Sequence, residues 1–116
     1  MSKISKLIGN RGEQIAVEFL LRQGVQILTR NFYSRFGEID IIAHDGTDTI
    51  FVEVKQRKQG INTGIESITH KKQNKLIRTA QYYLLKHNKA DILCRFDAII
   101  IASDGEINWL KNIINQ

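Results

Sequence analysis

Three charged side chains stand in two stretches that otherwise read as buried strands. Gly37-Glu38-Ile39-Asp40-Ile41-Ile42-Ala43 and Ile50-Phe51-Val52-Glu53-Val54-Lys55-Gln56-Arg57 are rich in β-branched residues, yet they carry Asp40, Glu53 and Lys55. Burying a charge is expensive unless it is paired or bound to a metal. Packing gives no reason for these three residues, whereas a charged reaction centre does.

His44-Asp45-Gly46-Thr47-Asp48-Thr49 separates the two runs, and Asp-Gly between apolar runs signals a hairpin. A four-residue loop over Asp45–Asp48 sets His44 opposite Thr49, Ile42 opposite Phe51, Asp40 opposite Glu53 and Glu38 opposite Lys55. With side chains alternating at period two, these pairs share one face. A two-residue Asp45-Gly46 loop makes Asp40 and Glu53 diagonal instead, still on one face. Carboxylates this close repel each other, and with a lysine beside them they form a seat for a divalent cation. Mg²⁺ takes oxygen ligands and keeps several waters. Asp40 and Glu53 are therefore the expected ligands of Mg²⁺ or Mn²⁺, with the backbone carbonyl of Val54 as a third.

Asp40 followed by Glu53-x-Lys55 on the next strand resembles the PD-(D/E)xK nuclease motif of restriction-endonuclease-like and Holliday-junction-resolvase-like proteins. The chain is still more similar to the YraN family of small endonuclease-like proteins. That likeness is carried by Gly9-x-x-Gly12-Glu13-x-x-Ala16, Arg30-Asn31-Phe32, Gly37-Glu38-Ile39-Asp40, Phe51-Val52-Glu53-Val54-Lys55-x-Arg57, Lys72-Gln73-x-x-Leu76 and Arg95-Phe96-Asp97. It implies one endonuclease-like domain over residues 1–116 and metal-dependent hydrolysis of phosphodiester bonds, with DNA favoured over RNA. Asp40, Glu53 and Lys55 would be catalytic, Lys55 orienting the attacking water or stabilising developing charge. The resemblance adds Glu13 as a further carboxylate and metal ligand, and Gln73 with Lys72 as helix residues that complete the site. Junction resolvases usually work as dimers, so a homodimer is a further expectation. Two readings of other classes stand beside this one: a nucleic-acid-binding module that keeps the fold without cleaving, and an adaptor that uses an edge strand near Trp109.

The elements that must position these residues follow from periodicity. A helix is expected from about Ile8 to Gln23, with Ile15, Ala16, Phe19 and Leu20 as its apolar stripe. Glu13 lies on the flank of that stripe. Its bland alternative is a solvated acid in the first turn, favoured by the helix dipole. Val25 to Tyr33 reads as a first strand, and Arg30 and Asn31 either meet phosphate or hold the turn into Gly37. Gln56 to Glu66 reads as a loop leaving the site. A second helix from Ser67 to His87 buries Leu76, Ile77, Ala80, Tyr83 and Leu84. Lys71, Lys72, Lys75 and Arg78 crowd its first half, where cations oppose the macrodipole. A phosphate ligand would remove that objection, so these four and Arg57 are the expected nucleic-acid contacts. Asp91 to Ala102 is a buried strand, with Asp97 paired to Arg95 or another cation, and Ile107 to Ile114 a last, edge strand. The order α-β-β-β-α-β-β gives an α/β or α+β fold with a mixed central sheet, the fourth strand parallel to the third.

Composition agrees with these expectations and excludes other classes. The 116 residues suit one domain, and 42% hydrophobic with 25% charged residues is ordinary for a globular protein. Seventeen Lys and Arg against twelve Asp and Glu give a net charge of +5, which suits a polyanionic partner. Cys94, the only cysteine, forms no intrachain disulfide and fits a reducing cytoplasm. No apolar run approaches membrane-spanning length, so no membrane association is expected. His44, His70 and His87 lack ligand spacing and read as non-catalytic. Trp109, Tyr82 and Tyr83 read as packing residues before base-stacking ones.

Overall fold

The computed structural model describes residues 3–57, 69–89 and 92–114, with side chains from Arg11 onward. Along the chain run α1 (Lys3–Arg22), β1 (Gln26–Ser34), β2 (Gly37–His44), β3 (Thr49–Arg57), α2 (His70–Lys86), β4 (Cys94–Ala102) and β5 (Ile107–Leu110). The strands lie in the order β1-β2-β3-β4-β5. All neighbours are antiparallel except β3 and β4, which run parallel. The result is a single α+β domain with a mixed sheet between two helices.

Each face of the sheet has its own core. Ala16, Val17 and Leu20 of α1 pack on Ile41, Ala43, Ile50, Val52, Ile99 and Ile101. On the other face Leu76, Ala80, Tyr83 and Leu84 of α2 pack on Ile39, Ile42, Phe51 and Phe96. Of the stripes expected from periodicity, Ala16 and Leu20 of α1 are buried, joined by Val17, while Ile15 and Phe19 are only partly covered. In α2 Thr79 joins the stripe and Ile77 is only partly covered.

Several boundaries differ from expectation for visible reasons. Thr69 caps α2, its hydroxyl accepting from the Lys72 N–H at 3.2 Å, so the helix starts at His70 and not at Ser67. Arg57 continues β3, paired with Ala102 of the parallel neighbour, so Gln56 and Arg57 belong to a strand. The rest of the expected loop and Lys58 lie outside the described residues. The last strand stops at Leu110 because Asn112 adopts a left-handed φ of 57° and its N–H bonds to Asp97 Oδ1 at 2.8 Å. The chain then crosses the sheet end, where the Ile113 N–H bonds to the Phe96 carbonyl and Ile114 enters the α2 core.

One arginine fastens the hairpin turn to the far strands. Arg95 Nη1 donates to Asp45 at 2.7 Å and to Asp48 at 3.1 Å, while its Nε donates to both oxygens of Asp97 at 3.1 Å. Asp97 is fully buried and also accepts from Trp109 Nε1 at 2.8 Å. Asp97 therefore has the structural role expected of it. At the same turn His44 Nδ1 accepts from the Gly46 N–H at 3.0 Å. Removing one member of such a cluster leaves its partners uncompensated. Arg95→Met should therefore cost about 3 kcal/mol, read as the drop in denaturation midpoint. The Asp45 carboxyl is held far below the ordinary carboxylate range, first by the N–H groups of Asp48 and Thr47 and then by Arg95. A depressed carboxylate contributes stability that is present above its unfolded value of 3.8 and lost as pH falls toward its folded one. Asp45→Asn should be less stable than the wild type at neutral pH, and the gap should narrow steadily on acidification below pH 3.8.

Candidate active site

The hairpin register is the expected one from the turn inward, with His44 opposite Thr49, Ile42 opposite Phe51 and Ile41 opposite Val52. The pairing stops there, one step short of Asp40. In place of a ladder bond, the Asp40 carboxylate reaches across and accepts from the Val54 N–H at 2.8 Å. Alternation slips at the same point: Ile39 and Ile42 both pack on the α2 face although they are three residues apart. Across from this slip, on β1, Asn31 sits between residues paired with Ile41 and Ile39 and has a left-handed φ of 52°.

This corrects the expectation that Asp40 and Glu53 share a face of a regular ladder. Asp40 lines a pocket of about 200 Å³ under α1, together with Gly12, Glu13, Glu38, Val54 and Gln56. Glu53 belongs to the α2 side, where its Oε1 is 3.2 Å from Lys55 Nζ and 3.6 Å from Lys72 Nζ. The local irregularity turns Asp40 away from alternation while leaving it within the field of Glu53. The Asp40 carboxyl is pushed up to about 7, first by burial, then by the Glu53 charge, with Glu13 and Glu38 adding and the Val54 N–H opposing. Glu13 is raised as well, chiefly by burial, although Arg30 and a hydrogen bond from Asn31 act against the rise. Gly12 lets α1 approach closely, since a Cβ there would stand 2.7 Å from the Gln56 side chain.

The expected site residues are therefore gathered unequally. Asp40 and Glu13 share the acidic pocket, and Glu53 and Lys55 form an ion pair on the adjoining strand. Lys72 is drawn into the site by Glu53, which relieves the cost of a cation at a helix start. Its ammonium is shifted down by burial and by neighbouring Lys55, against the opposing pull of Glu53. Gln73 sits half-buried in the same first turn. Lys71, Lys75 and Arg78 are exposed along α2. Arg57 is not with them: it lines a separate pocket with Ile15, Ile101 and Gly105. Glu38 is a pocket acid that the reading of the motif passed over, and its position two residues before Asp40 was the available signal.

The donors suit a hard divalent cation in kind, being anionic oxygens beside a strand backbone. Glu13 Oε1 is buried with no hydrogen-bond partner, an oxygen that a cation would satisfy. Among the described residues, however, no three His, Cys, Asp or Glu side chains stand close enough to hold an ion as they are.

The model of the uncharacterised protein family UPF0102 matches residues 12–101. The chain is 50% identical to the UPF0102 protein of Persephonella marina over 105 residues, 90% of each chain. It is 42% identical to that of Dichelobacter nodosus, over 95% of this chain and 90% of the other. It is 39% identical to that of Coxiella burnetii, over 98% and 97%. The chain belongs to the UPF0102 family, also called YraN. The UPF0102 match takes in Glu13, Asn31, Asp40, Glu53, Lys55, Lys72 and the Arg95–Asp97 pair, and leaves β5 outside.

A carboxyl raised by folding stabilises the native state fully below its unfolded value of 3.8, an effect lost as pH rises toward about 7. The metal-free protein should lose about 2–3 kcal/mol between pH 5 and pH 8 from this group. Asp40→Asn keeps an acceptor for Val54, so in EDTA it should melt at or above the wild type at the higher pH and show a flatter profile. A clearly lower melt of Asp40→Asn would mean that Asp40 is held by a cation in the native state.

Proposed function

We propose that this protein is a metal-dependent nuclease that hydrolyses phosphodiester bonds, with DNA as the favoured substrate. The observation that carries the reading is Asp40 in an acidic pocket with Glu13 and Glu38, within the field of a Glu53 that pairs with Lys55 and Lys72, in a chain of net charge +5. Such a group of repelling acids costs stability, which a site for cations and phosphate explains. Asp40, Glu53, Glu13 and the Val54 carbonyl would hold Mg²⁺ or Mn²⁺. When bound, the ion would supply a water activated near neutral pH and charge neutralisation at the phosphate. Lys55, freed from Glu53, would turn its ammonium to the water or to the phosphate oxygens, and Lys72 would add positive charge from α2. Exposed Lys71, Lys75 and Arg78 would hold the flanking backbone.

A second reading is a nucleic-acid-binding module without hydrolysis. The Glu53–Lys55–Lys72 cluster favours it, because it neutralises the key carboxylate inside the protein.

Among the described residues no helix is long and apolar enough to cross a membrane. The cell compartment that the proposal assumes is the cytoplasm, where nucleic acid is available.

The deciding experiment incubates the purified protein with labelled linear, nicked, single-stranded and four-way DNA and with RNA, in Mn²⁺, Mg²⁺ or EDTA. Cleavage should require metal and vanish in Asp40→Ala, Glu53→Ala and Lys55→Ala. Binding without cleavage of any substrate would establish the second reading. Metal should raise the melting temperature of the wild type, by the equivalent of about 2.7 kcal/mol at a hundred times Kd, and do little for Asp40→Asn. Affinity should fall with salt, and each of Lys71, Lys75 or Arg78 replaced by Ala should lower the slope of log K against log salt by about one.

A further inference from the structure

A larger cavity lies away from the carboxylates. It has a volume of about 680 Å³ and is lined by Arg35, Phe36, Arg78, Gln81, Tyr82 and Leu85. Arg35 and Phe36 come from the turn between β1 and β2, and the other four from the outward side of α2. Its walls are unlike an ordinary solvated helix surface. Tyr82 and Leu85 are 42% and 67% exposed. The Tyr82 ring lies 6.1 Å from Phe32 and 6.5 Å from Phe36, and the Arg35 guanidinium sits 4.9 Å over Phe36. Two guanidinium groups frame flat aromatic surfaces, and no carboxylate is among the lining residues.

We propose that this cavity receives an unpaired base of the nucleic-acid strand whose phosphates run along α2 to the carboxylate–lysine centre. Aromatic faces bind bases by stacking with little regard to sequence, and arginines beside them take the adjoining phosphates. Bases stacked inside an uninterrupted duplex do not offer their faces, so the preferred substrate is a strand with unpaired nucleotides near the cut.

The path between the two places is continuous. Lys71, Lys75, Arg78, Tyr82 and Leu85 recur at alternating spacings of four and three residues, which lie along one side of a helix. Gly37, three residues before Asp40, brings β2 against this helix, since a Cβ there would be 3.6 Å from Lys75 Cβ. From Lys72 to Tyr82 is ten residues, or about 15 Å of helix. The proposal rests on the nucleic-acid reading above and narrows it from nucleic acid in general to strands with unpaired bases.

The test is binding in EDTA, measured by fluorescence anisotropy with a short labelled single-stranded oligodeoxynucleotide and a blunt duplex of the same length. The wild type should prefer the single strand. Tyr82→Ala should weaken single-strand binding by roughly 5- to 100-fold and change duplex binding by less than about twofold. Tyr82→Phe, which keeps the ring, should bind as the wild type does. Melting curves establish that the variants are folded. Should Tyr82→Ala unfold because it loses Phe32 and Phe36, Arg35→Gln on the exposed turn carries the test, with weaker single-strand binding expected. A 2-aminopurine base at the unpaired position should change its emission with the wild type and not with Tyr82→Ala. Equal affinity for both oligonucleotides, or single-strand binding unchanged in both Tyr82→Ala and Arg35→Gln, overturns the proposal and leaves the groove to a protein partner. Because no metal is present, the result is independent of cleavage. Single-strand preference without hydrolysis supports the cavity and refutes the nuclease. Duplex cleavage without that preference does the reverse.

Discussion

The parting of β2 from β3 at Asp40 is the constraint on which the site depends. A backbone N–H in a sheet must find an acceptor, and for Val54 that acceptor is a carboxylate in place of a main-chain carbonyl. The bond fixes the Asp40 side chain between the strands, where burial and the neighbouring acids act on it. It also opens the space under α1 that Glu13 and Glu38 share. A regular ladder here would have left no room for a pocket. An apolar residue in place of Asp40 would have left the Val54 N–H without this acceptor.

Two charged centres lie at opposite ends of the same hairpin and are built on opposite principles. At the turn, Arg95 is surrounded by Asp45, Asp48 and Asp97, so that attraction outweighs repulsion and the strands are clasped. At the open end, acids crowd together, and Lys55 and Lys72 at Glu53 and Arg30 near Glu13 oppose them. Stability concentrated at the first centre makes the strained second one tolerable within one small sheet.

Much of this was legible in the sequence. Element order and most of the two apolar helix stripes follow from periodicity and from Asp-Gly, because those signals are local. Asp-Gly alone allows a two- or a four-residue turn, and the parallel fourth strand follows from the helical crossover. Asp40, Glu53 and Lys55 stood out because they interrupt buried runs. The slip at Asp40 was not legible: it lies across from a left-handed Asn31 in the neighbouring strand, and Asn tolerates that conformation without requiring it. The early end of β5 was hidden for the same reason at Asn112. The sharing of Arg95 among three aspartates, two of them in the hairpin turn, and the capture of Lys72 by Glu53 are tertiary contacts that no local pattern encodes.

The spans of the two centres bear on how the chain reaches this state. The Asp40–Val54 bond closes 14 residues, whereas Arg95 and Asp45 are 50 apart. On loop-closure entropy alone the shorter link costs about 1 kcal/mol less to form. The repulsive end of the hairpin is thus entropically nearer to hand than the clasp that secures it. A nascent hairpin carries its clustered acids with Lys55 as the near counter-charge before α2 and β4 bring Lys72 and Arg95, so the isolated unit is held back by its own charge until the rest of the chain arrives.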